Sequence, residues 1–425
     1  MSQSTAEEPE YRAYVLGKES ELRFEVETNE TVLLHITNGK AEIFGAELLQ
    51  TIEYKFEAGS KIAVFTWHGC KLKIAGKTEG EYVSKDTPMV MYVNTHAALE
   101  QMRTAAEENG SRGPKSMICG PTDSGKTTLC RILLNYALRV GQRPTFVDLD
   151  VGQGTISIPG TLGAVVPEKP LDPVGAFINE NPVVYHYGHV TPEANSRYYE
   201  HNISLLATVY HLRCSKSKRA DVGGLFINTC GFVKGVGYSS ILHAAKEFEV
   251  DVVIVLEQER LYNELKKSLP AKTKVVLLPK SGGVVERSSG FRKESRDKRI
   301  HEYFFGSGSQ NTLNPHRMEV SFDEVEVFKV GAPVLSNSCL PFDAEPEDYE
   351  KKLVPVEVGP ELVNKLLSVN HAECEMDIIE TNLAGFVVVQ EVNMEKQTLS
   401  LLSPKPYPLP NSYLLVGDLA FMVQQ

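Results

Sequence analysis

The sequence predicts an α/β chain. At its centre is a parallel sheet with helices on both faces, flanked by an N-terminal β-sandwich-like domain and a C-terminal mostly β domain. Three observations lead there. Short runs of alternating apolar and polar residues come first, strands alternate with helix-like stretches from about Lys115, and short strands return after about Phe305. At about 150 residues per domain, a chain of 425 residues fits three domains, drawn here at 1–109, 110–306 and 307–425.

From Leu22 to about Asn94 the pattern is that of half-buried antiparallel strands, as in Leu22-Arg23-Phe24-Glu25-Val26, Ile62-Ala63-Val64-Phe65 and Lys71-Leu72-Lys73-Ile74. His96 to Asn109 is rich in Ala, Glu, Gln and Met and reads as a helix, which Gly110 and Gly113-Pro114 stop. Beyond Lys115 the expected strands are Ser116 to Cys119, Thr145 to Asp150, Gly224 to Thr229, Val250 to Leu256 and Lys274 to Leu278. Helices are expected over Thr127 to Val140, Ser196 to Leu212, Tyr238 to Phe248 and Glu259 to Leu269, which makes βαβ units. The last part offers strands at Met318 to Phe328 and Gly385 to Val392 and an acidic loop around Asp343 to Glu350.

Composition removes several classes of function. Apolar residues at 42 % and charged residues at 23 % are ordinary for a globular protein. No apolar run approaches the ~20 residues of a membrane span, and the acidic start lacks the apolar stretch of a secretory signal, so an intracellular protein with no membrane contact is expected. The 7 cysteines are scattered and none forms C-x-x-C, which points away from a disulfide framework or a zinc site. His186 and His189 lack a third ligand at suitable spacing and read as structural. A net charge of −11 is wrong for non-specific coating of nucleic acid, so any such contact needs a local basic patch.

Gly120-Pro121-Thr122-Asp123-Ser124-Gly125-Lys126-Thr127 fits G-x-x-x-x-G-K-[ST] between an apolar strand and an amphipathic helix. That is the context a P-loop requires, and it makes the central sheet that of a P-loop NTPase. Backbone N–H groups at a helix start cradle phosphates, Lys126 reaches the β- and γ-phosphates, and the Thr127 hydroxyl ligates Mg²⁺. Phe146-Val147-Asp148-Leu149-Asp150 ends an apolar strand in carboxylate beside that loop, before Val151-Gly152-Gln153-Gly154. A carboxylate there can hold Mg²⁺ or activate a hydroxyl, and the bland alternative is an Asp that caps the next turn. Asp150 is the favoured functional member.

Ser281 to Arg299 carries Arg287, Arg292, Lys293, Arg296, Lys298 and Arg299. Arg292, Arg296 and Arg299 share a helical face at i, i+4, i+7, which suits a cationic lid over phosphates. A solvated helix with Glu294–Lys298 and Lys293–Asp297 pairs is the alternative. Asn228-Thr229-Cys230-Gly231-Phe232-Val233-Lys234-Gly235 places an aromatic at the same sheet edge, where Phe232 either stacks on a base or packs in the core. No Asn-Lys-x-Asp segment follows the later strands, so ATP is expected rather than GTP.

With the P-loop, Asp150-Val151-Gly152-Gln153-Gly154, Asn228-Thr229-Cys230-Gly231 and the Arg287 to Arg299 segment in this order, the chain resembles a known family. It resembles the eukaryotic polynucleotide 5′-hydroxyl kinase subunit of the pre-mRNA 3′-end cleavage factor, also linked to the tRNA-splicing endonuclease. The resemblance spans nearly the whole chain, including Ala63-Val64-Phe65-Thr66-Trp67-His68-Gly69 and Leu277-Leu278-Pro279-Lys280-Ser281-Gly282-Gly283. It implies an N-terminal domain closing over the nucleotide base, with Glu21 and Lys61 as nucleotide contacts. It also implies phosphate binding by Asp123, Ser124, Gly125, Lys126, Thr127 and Thr128, and Arg287 and Arg292 as lid arginines. Where related members carry Trp after Asn-Thr-Cys-Gly, this chain has Phe232, which keeps stacking but loses an indole N–H donor.

The reaction expected is transfer of the γ-phosphoryl of Mg·ATP to an RNA 5′-hydroxyl. Lys126, Asp150, Arg287 and Arg292 carry it, Thr127 and Asp150 organise Mg²⁺, and Gln153, Thr191 and Phe232 clamp the terminal nucleotide. Partners implied by the resemblance are RNA with a 5′-hydroxyl end and the proteins of the cleavage factor and the splicing endonuclease. Lys216-Ser217-Lys218-Arg219 is too short to establish import, so a nuclear address rests on the resemblance alone. Two other classes compete: a non-catalytic scaffold that keeps ATP as a structural ligand, and a P-loop NTPase switch.

Overall fold

The computed structural model describes residues 10–174, 181–307, 312–332, 349–406 and 408–422; Cys339 and most of the acidic stretch from Asp343 lie outside them. The N-terminal strands are β1 (Tyr11–Leu16), β2 (Ser20–Val26), β3 (Thr31–Gly39), β4 (Glu42–Ile43), β5 (Ala46–Glu47), β6 (Glu53–Glu57), β7 (Lys61–Thr66), β8 (Cys70–Ala75) and β9 (Thr78–Ser84). They form two facing sheets, ordered β1-β8-β3-β6 and β5-β4-β7-β2-β9. Side chains alternate across a strand, so Leu22, Phe24 and Val26 of β2 meet Val32, Leu34 and Ile36 of β3 in the core between them. Glu21, Arg23 and Glu25 fall on the opposite face of β2.

The strands begin earlier than the sequence reading placed them, at Tyr11, and the helix begins earlier too. Helix α1 runs Met89–Asn109, and its buried residues Met89, Tyr92, His96, Leu99, Arg103 and Ala106 follow one another at steps of three and four. That periodicity overrides the strand-like look of Val90 to Val93. Gly110 ends the helix in the left-handed conformation, φ 68°, with its N–H on the Ala106 carbonyl.

The central sheet contains β10 (Lys115–Cys119), β11 (Thr145–Asp148), β12 (Thr161–Val165), β13 (Val183–His186), β14 (Leu225–Asn228), β15 (Val252–Leu256) and β16 (Lys274–Leu278), in the order β13-β12-β11-β14-β10-β15-β16. Its helices are α2 (Lys126–Arg139), α3 (Ser196–Lys216), α4 (Lys218–Gly223), α5 (Val236–Glu247), α6 (Glu259–Ser268) and α7 (Ser289–Phe305). Ile118, Phe146, Phe226 and Ile254 face α1, α2 and α7, while Met117, Val147, Ile227 and Val253 face α3, α5 and α6. The sheet is mixed rather than wholly parallel, because β12 runs antiparallel to β11 and β13 antiparallel to β12. These two strands escape the sequence reading: they are only five and four residues long with no helix between them.

The C-terminal strands are β17 (His316–Ser321), β18 (Glu326–Val330), β19 (Leu353–Pro355), β20 (Lys365–Asn370), β21 (Leu383–Asn393), β22 (Thr398–Ser403) and β23 (Tyr413–Ala420). They form one sheet, β17-β22-β21-β20-β23-β18-β19. The stretch Met318 to Phe328, read as one strand, is two, broken by a helical turn at Phe322–Glu324 that Ser321 and Glu324 cap reciprocally. Both flanking domains grip the central one. On the N-terminal side Glu42 accepts from Tyr136 and, at 2.7 Å, from Arg139, and Asn135 Nδ2 donates to the Phe44 carbonyl at 2.8 Å. On the other side Phe304 stacks on Phe421, ring centres 6.1 Å apart, which anchors the far end of α7. Among the described residues no helix is long and apolar enough to cross a membrane.

Candidate active site

Three parallel strands end side by side. The register sets Ile118 of β10 opposite Asn228 of β14, and Asn228 opposite Asp148 of β11. The segments that follow them, the P-loop, the Asp150 loop and Asn228 to Gly231, therefore meet at the carboxyl edge of the sheet, where ligands of such folds bind. Gly125 closes the P-loop at φ 89°, a conformation that glycine adopts without strain, and α2 starts directly after it. Gly231 permits the third segment to lie against the P-loop, since a Cβ there would be 2.3 Å from Thr122 Oγ1. Above this edge lies a cavity of about 460 Å³, bounded by Arg23, Lys61 and Tyr82 on the N-terminal domain and by Ser281 to Val285, Arg287 and Arg292 on the other side.

Lys126 is buried, and its Nζ donates to the carbonyls of Gly120 at 3.0 Å and Pro121 at 2.8 Å. Burial pulls the ammonium below its ordinary value, while the Asp150 carboxylate pulls the other way. The two aspartates divide cleanly. Asp148 is buried and accepts from Asp150 N (3.0 Å), Thr155 N (2.7 Å), Thr155 Oγ1 (2.6 Å) and Asn228 Nδ2 (2.9 Å), so it shapes the turn and has nothing left to offer a ligand. These bonds also end β11 at Asp148, two residues short of the expected strand end. Asp150 lines the cavity, and its Oδ1 accepts from Gly152 N (3.0 Å) and Gln153 N (3.1 Å). Its Oδ2 accepts no hydrogen bond among the described residues. Burial, with Asp148 adding and Lys126 opposing, pushes the Asp150 carboxyl up to about 6. Thr127 stands at the cavity in the first turn of α2, with Asn228 Nδ2 3.4 Å from its hydroxyl.

The arginine segment is the helix α7 and its leader. Arg287 and Arg292 both line the cavity. Both are tied to Asp123 of the P-loop, whose Oδ2 accepts from the Arg287 backbone N–H at 2.9 Å and from Arg292 Nη2 at 2.6 Å. Partial burial alone would raise the Asp123 carboxyl, but these two donors outweigh it and hold it below its usual range. Ser124, Gly125 and Thr128 line the same wall. Arg299 donates to the Thr155 carbonyl and pairs with Glu302.

On the N-terminal side Lys61 reaches the cavity and pairs with Glu25 at 3.0 Å. Glu21 does not line this cavity. It lines a smaller one beside it, where its Oε2 accepts from Thr87 Oγ1 at 3.0 Å and its other oxygen pairs with Arg23. Arg23 was missed by the sequence reading. It is 6 % exposed, lines the main cavity, and packs so close to the loop of Gly282 that a Cβ there would be 3.0 Å from its Nη1. The signal existed in β2: Glu21, Arg23 and Glu25 share a face, and a charged row beside an apolar one reads as solvent-facing until another domain covers it. Asn228 was quoted within a motif but given no role, although it bonds Asp148 and approaches Thr127.

The acceptor residues are less closely assembled. Gln153 lines the cavity and its Nε2 donates to the carbonyls of Gly152 (2.8 Å) and Arg292 (3.3 Å). Thr191 lies outside the cavity wall, its carbonyl accepting from the Tyr187 hydroxyl at 3.0 Å, and the preceding Val190 backs onto Gly152. Phe232 is half-buried and belongs to neither core flanking the sheet, while its neighbour Gly231 lines the cavity. His186 and His189 bond Ser368 Oγ (2.8 Å) and Asp418 (2.6 Å) of the C-terminal domain.

Comparison with known proteins fits this layout. Residues 15–106 match the N-terminal β-sandwich domain of polyadenylation factor, 120–306 the P-loop domain of mRNA cleavage and polyadenylation factor CLP1, and 313–422 the pre-mRNA cleavage complex II protein Clp1. The chain is 54 % identical over 417 residues to the polyribonucleotide 5′-hydroxyl-kinase Clp1 of Gallus gallus, covering 98 % of each. It is 54 % identical over 410 residues to that of Homo sapiens, covering 96 % of each. A solved Clp1p–Pcf11p complex superposes with a TM-score of 0.85 at 23 % identity, over 98 % of this chain and 99 % of that one, which shows the same fold. A nucleotide-binding P-loop protein end to end similar to these relatives, the chain belongs to the Clp1 family.

Proposed function

We propose that the chain transfers the γ-phosphoryl group of ATP to the 5′-hydroxyl of a polyribonucleotide, as the names of its Clp1 relatives say of them. The observation that carries the reading is the Asp150 carboxylate, which presents an unbonded oxygen to a P-loop cavity that two lid arginines also face. A protein that only stores nucleotide needs the loop but not that carboxylate.

In the proposed reaction the P-loop amides and Lys126 hold the triphosphate. The RNA 5′-oxygen bonds to the γ-phosphorus as the bond from that phosphorus to the β-bridging oxygen breaks, leaving ADP and a 5′-phosphate. Asp150 orients the hydroxyl and takes up its proton, for which a carboxyl lifted to about 6 is suited. Arg287 and Arg292 stabilise charge on the transferring group. The Thr127 hydroxyl fits Mg²⁺ as a direct ligand, with Asp150 reaching the ion through water, and the ion when bound would neutralise phosphate charge. Gln153 at the cavity, with Thr191 and Phe232 beyond its wall, is assigned to the terminal nucleotide in this reading, Phe232 supplying a stacking face.

We further place the protein in the nucleus, in a pre-mRNA cleavage factor with a Pcf11-like subunit, and with the tRNA-splicing endonuclease. The cleavage-factor descriptions of its family and the solved Clp1p–Pcf11p complex support the first of these assemblies. Co-purification of the tagged full-length chain from nuclear extract tests both, and recovery of neither assembly would reject them. The activity is tested by γ-labelled ATP with a 5′-hydroxyl oligoribonucleotide. Label on the RNA is expected. Label released only as inorganic phosphate would make the protein a hydrolytic switch, and none released would make it a scaffold.

A further inference from the structure

Phe291, in the first turn of α7, is within reach of two cations that belong to different domains. Arg287 Cζ is 5.3 Å from its ring centre, and Lys61 Nζ of the N-terminal domain is 5.8 Å from it. Both distances are inside the ~6 Å at which a cation is drawn to an aromatic face. Lys61 and Arg287 line the nucleotide cavity and Phe291 does not, so the ring backs both cations from behind. Its place is set from two sides. The Ser288 hydroxyl accepts from the Phe291 backbone N–H at 3.1 Å, and the turn between β6 and β7 rests on the ring, with a Cβ at Gly59 coming 3.9 Å from Cε2. Seven residues along, on the same edge of the helix, Lys298 Nζ meets Glu57 at the other end of that turn at 3.1 Å.

We propose that Phe291 is a positioning residue that couples the N-terminal domain to the arginine lid, so that nucleotide contact through Lys61 and placement of Arg287 occur together. The proposal rests on the reading of Lys61 as a nucleotide contact and Arg287 as a lid cation. The choice of an aromatic ring has a physical reason. Carboxylates already pair Lys61 and Arg292, Glu25 at 3.0 Å and Asp123 at 2.6 Å, and a third would cancel more of the charge that the phosphates need. The ring attracts cations through its quadrupole and leaves their net charge intact. It also offsets the repulsion between Lys61 and Arg287.

The test uses the full-length protein with Phe291→Leu, Phe291→Tyr, Lys61→Ala and the Phe291→Leu/Lys61→Ala double variant. A fluorescent ATP analogue gives the dissociation constant, and a 5′-hydroxyl oligoribonucleotide gives the single-turnover rate. Phe291→Leu keeps the apolar bulk against the Gly59 turn but loses the aromatic face. It is expected to weaken analogue binding about threefold and to slow transfer by a similar factor, the scale of one cation–π contact, while Phe291→Tyr recovers both. Lys61→Ala should weaken binding in the parent and add little in the Phe291→Leu background. Parent-like binding and rate in Phe291→Leu, or full additivity with Lys61→Ala, would overturn the coupling and leave the ring as packing. If the parent transfers no phosphate, the kinase reading fails, and the binding cycle still decides the coupling.

Discussion

Around the P-loop, three charged side chains are held by partners within the chain: Lys126 on two loop carbonyls, Asp148 on four donors, Arg292 on Asp123. The acceptor side is looser, with Gln153 alone at the cavity, Thr191 behind the Asp150 loop and Phe232 half-buried next to Gly231 of the cavity wall. The difference is one of preorganisation. Donors fixed before the substrate arrives stabilise charge as it develops and act on the rate, whereas contacts made at an open rim act on acceptor affinity. Such a site would be strict about the phosphate and permissive about the base.

The sharpest way to break this division is Lys126→Ala, which should lower the transfer rate by roughly 10³-fold with the fold retained, read by an unchanged circular dichroism spectrum. Transfer at the parent rate would show that the P-loop is not the donor site. Asp150→Asn should cost roughly 10²-fold in kcat, because an amide cannot take up the proton, and a change confined to the KM for ATP would reduce Asp150 to a binding group. Arg292→Lys keeps the charge but not the fork that spans two oxygens, and a rate about tenfold below the parent, above that of Arg292→Ala, is expected in single-turnover assays. On the acceptor side Phe232→Ala should raise the RNA KM by about tenfold, near the lower end of the ~1–3 kcal/mol that stacking contributes per base. ATP affinity should be unmoved, and an unaltered RNA KM would make the ring a bystander.

The smallest effect concerns the frame behind Thr191. Burial pushes His186 down to about 3, so the folded protein holds it neutral on Ser368. Its folded pKa lies below the ordinary 6.5, so its contribution to stability is present above pH 6.5 and falls as pH drops below that value. One such group changes stability by at most ~1.4 kcal/mol per pH unit. Denaturation midpoints between pH 7 and 5 should fall more steeply for the parent than for His186→Gln, and equal slopes would mean that His186 is protonated in the folded state.

The donor half was legible in the sequence because its geometry is local. Gly120 to Thr127 specify turn and helix start within eight positions after an apolar strand, and Phe146 to Asp150 ends in carboxylate beside them; the strand itself stops at Asp148, which leaves Asp150 two residues beyond it. What the sequence could not display was which surfaces another domain covers. Arg23 looks like an exposed strand residue until the Gly282 loop is laid against it, and Asp123 looks like one more phosphate-loop residue until two lid arginines, over 160 positions away, converge on it. The antiparallel β12 and β13 were hidden for a different reason: four or five residues are too few to show a period.

The division between the two halves is tested most directly by single-turnover transfer at saturating ATP and increasing RNA, comparing Asp150→Asn with Phe232→Ala. Preorganised donors and a permissive rim predict that Phe232→Ala climbs to the parent rate once RNA saturates, while Asp150→Asn stays roughly 10²-fold below it at every RNA concentration. Recovery of Asp150→Asn by excess RNA, with Phe232→Ala remaining slow, would contradict it.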